Sequence, residues 1–168
     1  MNVLETERLV LRRLATSDAA FILELLNEPS FLRYVGDKGV RTLDDARIYV
    51  ENTPLASYQK HGFGMYLTSL KDGTPIGICG LVKRDTLLDV DLGFAFLPEY
   101  WSQGYAFESA TAVLGHAKKD FGLTRIVAIV NPDNHRSITL LERLGLMFER
   151  AVRLKAESTE ILLHVRAL

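Results

Sequence analysis

The stretch that decides the fold reads Pro98-Glu99-Tyr100-Trp101-Ser102-Gln103-Gly104-Tyr105-Ala106-Phe107-Glu108. Its composition is typical of a tight turn that leaves a strand and opens a helix. The first N–H groups of a helix have no partner within the helix and lie at the positive end of its dipole, so such a turn favours an anion. Gly104 and Ala106 would let that anion approach the backbone closely. Because a glycine at a helix start is more often simple turn chemistry, the flanking segments have to decide the function.

The segment before the turn, residues 87–97, predicts a strand, because apolar side chains recur at every second position. These even positions are Leu88, Val90, Leu92, Phe94 and Phe96. They predict a face that packs into a core. The opposite face carries Asp89 and Asp91, followed by Gly93 and Ala95, which leave room for a ligand chain against the backbone.

The segment after the turn predicts a helix, a strand and a second helix. Residues 105–121 carry apolar side chains at helical spacing, and a glycine follows as the C-terminal cap. Residues 123–130 form a β-branched apolar run that indicates a more buried strand. The sequence Asn-Pro-Asp-Asn at 131–134 then caps a short helix over 135–144, which Gly145 ends.

This order of strand, Gly-Tyr-Ala turn, long helix, buried strand and Asn-x-x-Ser helix resembles the GCN5-related N-acetyltransferases. The most similar branch contains the RimJ and RimL ribosomal-protein N-terminal acetyltransferases. The resemblance begins at Thr6-Glu7-Arg8-Leu9-Val10-Leu11-Arg12 and is most specific over 91–145. It implies acetyl-CoA as the donor, with the pyrophosphate on backbone N–H groups of the turn and the pantetheine arm along 94–97. The cofactor-binding residues that it implies are Phe94, Phe96, Ser102, Gln103, Gly104, Tyr105, Ala106, Asn134 and Ser137.

The chain departs from the general family pattern at two positions. The turn pattern starts with Gln or Arg in much of the family, and Trp101 stands there in this chain, as it often does in the RimJ/RimL branch. Many relatives carry a tyrosine seven residues after the helix-capping Asn, where it can protonate the departing thiolate, and this chain has Leu141. In RimL-like members a serine three residues after that Asn is thought to take over this role. Ser137 matches that position, although Asn134 and Ser137 could also form a plain N-cap.

Acyl transfer to an amine requires a deprotonated amine, a polarised carbonyl and a protonated thiolate. The backbone N–H of Phe94 or Phe96 is a candidate to polarise the carbonyl. Asp91 is the first candidate for the base, because it lies on the non-core face of the predicted strand and many family members have a carboxylate at that place. Glu157 competes with it, since RimL-like enzymes are thought to use a carboxylate of the final hairpin. Alternatively, Asp89 and Asp91 are solvated residues near a sheet edge.

The remaining pattern completes an α+β fold. Strands are predicted at 8–14, 63–70, 75–83, 146–154 and 160–166, and helices at 16–28 and 42–59. Thr42 and Asp45 are spaced like a capping box, and Pro54 should kink or split the second helix. We expect a mixed, mostly antiparallel sheet of about seven strands flanked by about four helices. By the resemblance, a splayed strand pair holds the cofactor, and residues 1–168 form one N-acetyltransferase domain.

Composition limits the function classes. A chain of 168 residues with 48% hydrophobic residues can bury one core, and its net charge of −1 gives no reason to expect a nucleic acid or an anionic membrane as partner. The four histidines lack metal-ligand spacing, so no metal site is predicted. The single Cys79 cannot form an intrachain disulfide and suits a reducing compartment. Without a signal peptide or a long apolar span, a cytoplasmic protein is expected.

The acceptor is the least determined part of the prediction. By the resemblance, residues 31–36 and the final hairpin wall its pocket. We expect a protein N-terminal α-amine, with a small amine such as an amino acid, a polyamine or an aminoglycoside as the alternative. A regulatory module that binds acyl-CoA without turnover is the alternative from another class. The chain is expected to be a monomer or a homodimer, and the missing Gly-x-Gly-x-x-Gly motif argues against a dinucleotide-binding fold.

Overall fold

The computed structural model describes residues 2–168 and contains one mixed sheet of eight strands. The strands are β1 (Asn2–Glu5), β2 (Leu9–Arg13), β3 (Met65–Leu70), β4 (Pro75–Val82), β5 (Asp91–Phe96), β6 (Arg125–Val130), β7 (Met147–Val152) and β8 (Ile161–Ala167). Their order in the sheet is β1-β2-β3-β4-β5-β6-β8-β7. Within the described residues, β5 and β6 pair in parallel and every other neighbouring pair is antiparallel. The predicted α+β class is therefore confirmed.

Six α-helices accompany the sheet. They are α1 (Ala19–Leu26), α2 (Pro29–Tyr34), α3 (Leu43–Val50), α4 (Ala56–His61), α5 (Tyr105–Phe121) and α6 (His135–Arg143). The helix predicted at 16–28 ends at Leu26 with Asn27 as its C-cap, and Pro29 opens α2, because its fixed φ suits the first helical position. The helix predicted at 42–59 is divided into α3 and α4 by a π-helical segment that contains Pro54, which lacks an N–H to donate.

Local sequence signals explain where several elements begin and end. Thr42 and Asp45 form the predicted capping box: Asp45 N donates to Thr42 Oγ1 at 3.0 Å, and Thr42 N donates to Asp45 Oδ2 at 3.2 Å. Gly122 and Gly145 end α5 and α6 with φ of 62° and 85°, a backbone region that favours glycine. The unpredicted strand is β1, a four-residue segment too short to show a period of two.

The sheet has a core on each face. Helices α5 and α6 pack on one face through a first cluster, which includes Val113, Leu141 and Leu92. Helices α1 and α3 cover the opposite face through a second cluster, which includes Ile22 and Ile78. Cys79 is buried in the first cluster, and burial raises the pKa of its thiol to about 12. Both faces of the sheet are therefore covered by helices.

The strand predicted at 87–97 is shorter in the structure. It begins at Asp91, which pairs with Val82, the last residue of β4, so that the residues before Asp91 have no partner in β4. Leu88, which was predicted to face the core, is 97% exposed. Leu87 is buried instead, in a small cluster with Val127. The predicted alternation of buried and exposed residues was therefore wrong by one position at this end of the strand.

Candidate active site

Strands β5 and β6 diverge after a single paired position. Their only register pair within the described residues is Asp91 with Val127, where Val127 N donates to Val90 O at 3.0 Å. On the other side of β5, Leu97 N donates to Ile76 O of β4 at 3.0 Å. Because hydrogen-bonded pairs alternate along an antiparallel ladder, the N–H groups of Phe94 and Phe96 point away from β4 and into the gap. The gap therefore exposes backbone donors.

The turn before α5 has the backbone that an anion site requires. Gly104 has φ of 85° and precedes the first residue of α5, and Ser102 also has a positive φ of 62°. No side chain caps this helix, and its first internal hydrogen bond runs from Glu108 N to Gly104 O at 3.0 Å. The N–H groups before Glu108 are thus left without a side-chain partner at the positive end of a 17-residue helix.

The N-terminal segment holds this turn in place. Arg8 Nε donates to Glu108 Oε1 at 2.7 Å, and Arg8 Nη1 donates to Gln103 O at 2.9 Å. Thr6 Oγ1 donates to Glu108 Oε2 at 2.5 Å. Burial opposes ionisation of Glu108, but the hydrogen bonds from Thr6 and Arg8 outweigh it and hold the pKa of this carboxyl below its usual value. Glu108 therefore connects the start of α5 to the first strands.

Helix α6 approaches the turn from the other side. Asn134 is its N-cap, with Oδ1 accepting from Ser137 N at 3.2 Å. Arg136 Nη1 donates to Ser102 Oγ at 2.7 Å, and the guanidinium lies over the Trp101 ring at 4.8 Å. Trp101 Nε1 in turn donates to Phe96 O at 2.8 Å. The strand, the turn and the helix are therefore linked directly.

A cavity of about 740 Å³ lies between these elements and α2. Eight of the predicted cofactor-binding residues line it: Phe94, Phe96, Ser102, Gly104, Tyr105, Ala106, Asn134 and Ser137. Gln103 does not, because its side-chain Nε2 donates to Glu99 O at 3.0 Å on the exposed side of the turn. The volume lies within the range of small-molecule and cofactor sites.

Of the three predicted catalytic side chains, Ser137 alone lines the cavity. Asp91 is only 1% exposed and lies outside the lining, so its predicted place on an open strand face was wrong. Its partner in the sheet, Val127, belongs to a third buried cluster with Leu87, Val152 and Leu163. Asp91 Oδ2 accepts from Arg84 Nε at 2.8 Å, and its Oδ1 has no partner. Burial raises the pKa of Asp91 to about 6, against the opposing effect of Arg84.

The other two carboxylates also lie away from the cavity. Asp89 precedes β5 and accepts from Arg125 Nε at 2.9 Å, so the expected pairing of Asp89 with Asp91 along one strand face is wrong. Glu157 is exposed in the loop between β7 and β8 and does not line the cavity.

Sequence reasoning missed several cavity residues. Arg136 and Arg143 line it from α6, and Arg143 lies over the Phe107 ring at 4.6 Å. These two arginines are seven residues apart, two helical turns, and this spacing is a signal that could have identified a basic face. Glu28 lines the cavity just before α2, and no local sequence pattern marks it. Tyr34 also lines the cavity and lies within 31–36, the segment that was expected to wall the acceptor pocket.

In the part of the chain that the structure describes, no group of three or more His, Cys, Asp or Glu side chains is arranged to hold a metal ion. None of the helices over residues 2–168 is long and apolar enough to cross a membrane.

Comparison with known proteins identifies the fold and the family. Residues 8–147 match the family model described as an acetyltransferase (GNAT) domain. The N-acetyltransferase YoaA of Bacillus subtilis is 29% identical over 155 residues, which cover 90% of this chain and 86% of that protein. An acetyltransferase structure from Agrobacterium tumefaciens has 26% identity and a TM-score of 0.83, covering 97% of this chain and 92% of that one.

A structure of RimL, a ribosomal L7/L12 α-N-protein acetyltransferase in complex with coenzyme A, has the same fold. Its TM-score is 0.84 at 18% identity, and the match covers 100% of this chain and 98% of that one. GNAT enzymes use acetyl-CoA and act on an amine acceptor. With a family model that spans most of its length, the chain belongs to the GNAT N-acetyltransferases, in their RimL-like family.

Proposed function

We propose that this chain, as one domain over residues 1–168, transfers the acetyl group of acetyl-CoA to the α-amine of a protein N-terminus. The observation that carries the proposal is a single cavity that joins an uncapped helix start, an edge of free backbone donors and a serine hydroxyl. These belong to α5, β5 and Ser137 respectively. Acetyl-CoA supplies an activated thioester, so no covalent intermediate on the protein is required.

The α5 end of the cavity fits the phosphates of the donor. The uncapped N–H groups at Tyr105, Ala106 and Phe107 provide a diphosphate site without side chains. Arg136 and Arg143 add two positive charges at the same end. Phe94 and Phe96 line the path from this end into the gap between β5 and β6. In this proposal, the thioester end therefore lies beside the free N–H groups of β5.

The proposed chemistry uses two groups of the chain. The N–H of Phe94 or Phe96 stabilises the negative charge that develops on the acetyl carbonyl oxygen. The Ser137 hydroxyl donates a proton to the departing sulfur. For the amine itself, the reference pKa of an N-terminal α-amine, roughly 7.7 to 8, leaves enough neutral amine near pH 7 for water to take the proton. Asp91 then has a positioning role, holding Arg84 at the point where the strands diverge.

A second candidate function is binding of acyl-CoA without turnover. Leu141 favours it, because it occupies the position at which many relatives carry the tyrosine acid and is 1% exposed within the core. Ser137 in the cavity favours catalysis instead. Thiol release in the presence of an acceptor separates the two functions.

The test is acetylation of a peptide with a free N-terminus and one internal lysine, followed by mass spectrometry of its fragments. We expect acetyl on the α-amine and none on the lysine. The matched control is the same peptide with a blocked N-terminus, which should remain unmodified. If the lysine of the blocked peptide is acetylated as fast as the peptide with the free N-terminus, the proposed acceptor is contradicted. The family assignment would remain intact.

A further inference from the structure

The cavity reaches both faces of the sheet. Its lining from α5 and α6, including Phe107 and Leu140, packs against the first core cluster. Its lining from α1 and α2, including Leu25 and Phe31, belongs to the second cluster on the opposite face. The gap between β5 and β6 is where the two sides can meet. A donor whose phosphates lie at the α5 end leaves the α2 end for the acceptor.

The α2 end contains one carboxylate. Glu28 immediately precedes α2 and is half-buried in the cavity wall. Its side chain does not cap α2, and within residues 2–168 it makes no ion pair or side-chain hydrogen bond. A carboxylate in a cavity wall that has no partner within the protein is available to a cationic group of a ligand.

The charges of the lining are divided between the ends. Arg136 and Arg143 lie at the α5 end, together with the carboxylate of Asp133. Glu28 is the charged side chain of the lining at the α2 end. The cation of α2, Arg33, stacks on the Tyr34 ring at 4.9 Å and does not line the cavity. The α2 end is thus suited to a cation and offers no cationic side chain to an anion.

Apart from the hydroxyl of Ser30, the remaining side chains at the α2 end are apolar or aromatic. Phe31, Tyr34, Val35 and Tyr100 line the cavity there. They can contact an uncharged stem next to the amine, and they offer no second carboxylate. A polyamine or an aminoglycoside would leave further ammonium groups unpaired, and a free amino acid would bring its carboxylate towards Glu28.

Resting on the proposed function, we infer that Glu28 receives the ammonium of an acceptor with a single positive charge and no adjacent carboxylate. This chemistry is shared by the α-amine of a peptide and by a primary monoamine with an apolar stem. The ammonium loses one proton to solvent before attack. The nitrogen then forms the bond to the carbonyl carbon, the carbon–sulfur bond breaks, and the second proton from nitrogen is balanced by protonation of the sulfur.

The test compares phenylalaninamide with phenylalanine, which share the stem and the amine and differ by one carboxylate. We expect kcat/KM for the amide to exceed that for the acid by about tenfold or more, and Glu28→Gln to raise KM for the amide about tenfold. The ratio of kcat/KM for the amide to kcat/KM for the acid should also be smaller in this variant. Since the basicity of each amine is the same with both proteins, a change in that ratio reports the side chain. An amidated tripeptide and phenethylamine serve as the peptide and monoamine arms.

Glu24→Gln is the matched control, because Glu24 is exposed one turn earlier on α1 and does not line the cavity. It should leave both constants unchanged. Acetyl-CoA binding, measured by thermal unfolding in every variant, separates the two proposals. If the wild type does not bind acetyl-CoA, the proposed function fails. If it binds but Glu28→Gln leaves KM unaltered, if the acid reacts as well as the amide, or if no monoamine of the panel reacts, the inference is overturned.

Discussion

The two ends of the cavity are built in different ways. The α5 end is made mainly of backbone: Gly104 at φ of 85°, the uncapped N–H groups after it and the free donors of β5. The α2 end is made of side chains, among them Glu28, Phe31 and Tyr34. A backbone site depends on a short local sequence, whereas a side-chain site depends on which residues the tertiary structure brings together. We expect the first to tolerate side-chain changes and the second to be sensitive to them.

The largest effect is expected from a change of backbone geometry at the α5 end. Gly104→Val introduces a β-branched residue at positive φ, and a Cβ at this position lies 3.1 Å from Arg8 Nη2. The turn must shift, so we expect acetyl-CoA affinity to fall by about a hundredfold and the free energy of unfolding by about 1 to 3 kcal/mol. Calorimetric titration and thermal unfolding give the two values.

Gly122→Val is the control for strain alone. Gly122 ends the same helix at φ of 62°, and nothing lies within 4 Å of its added Cβ. It should lose stability to a similar extent and keep its acetyl-CoA affinity. Equal losses of affinity in both variants would mean that the α5 turn has no special role in binding.

The next effect concerns the serine hydroxyl in the cavity. Ser137→Ala removes the proposed acid but leaves the backbone N–H that Asn134 accepts. We expect kcat to fall by about tenfold to a hundredfold, the lower part of the range for general acid catalysis, with little change in the Kd of acetyl-CoA. Thr139→Ala, at another cavity hydroxyl of α6, should keep kcat. Unchanged kcat in Ser137→Ala would remove this residue from the mechanism.

A smaller effect is expected from the arginine that spans the turn and α6. Arg136→Ala removes a positive charge and the contacts to Ser102 and Trp101. The Kd of acetyl-CoA should rise about tenfold, the usual range for one charge-assisted contact, while KM for acetyl-pantetheine, which lacks the phosphates, should stay the same. Arg150→Ala on β7, outside the cavity, is the control. An equal effect on both donors would show that Arg136 acts on the fold and not on phosphate.

The smallest effect is a pH dependence at Asp91, away from both ends. Its pKa of about 6 lies above the usual value, so the folded state binds this proton more tightly than the unfolded state. The resulting stability is fully present below about pH 4 and is lost as pH rises through about 6. Asp91→Asn should lack this slope in urea unfolding. Because Asp91 has a positioning role, the pH profile of kcat/KM should follow the ionisation of the acceptor amine in both the wild type and Asp91→Asn. A break near pH 6 that disappears in the variant would make Asp91 the base.

The two ends of the cavity also differ in how far they could be predicted from the sequence. The turn and the boundaries of α5 and α6 were predictable, because each depends on a few neighbouring residues. Eight of the nine residues predicted to bind the cofactor line the cavity. Gln103 lies outside the lining, and its side chain donates back to Glu99 O within the turn. The prediction that Leu88 faces the core was wrong. The alternation of apolar and polar residues continues in the sequence before Asp91, where β5 no longer pairs with β4.

The burial of Asp91 and the exposure of Glu157 depend on the tertiary structure and could not be predicted from the local sequence. The first depends on residues distant in the sequence, such as Val127 of β6, which is the partner of Asp91 in the sheet. The second depends on where the loop between β7 and β8 lies. Glu28 was missed for the same reason, because only the fold brings residues before α2 to the cavity that α5 opens.

The most direct test of the central claim, that this cavity binds acetyl-CoA through its phosphates, is thermal unfolding with saturating donor. At about one hundred times Kd, bound acetyl-CoA should add about 2.7 kcal/mol, or roughly 5 to 10 °C in Tm. NADH and ATP should give no comparable shift, and acetyl-pantetheine at the same concentration should give a smaller one. No shift with acetyl-CoA, or an equal shift with ATP, would contradict the account.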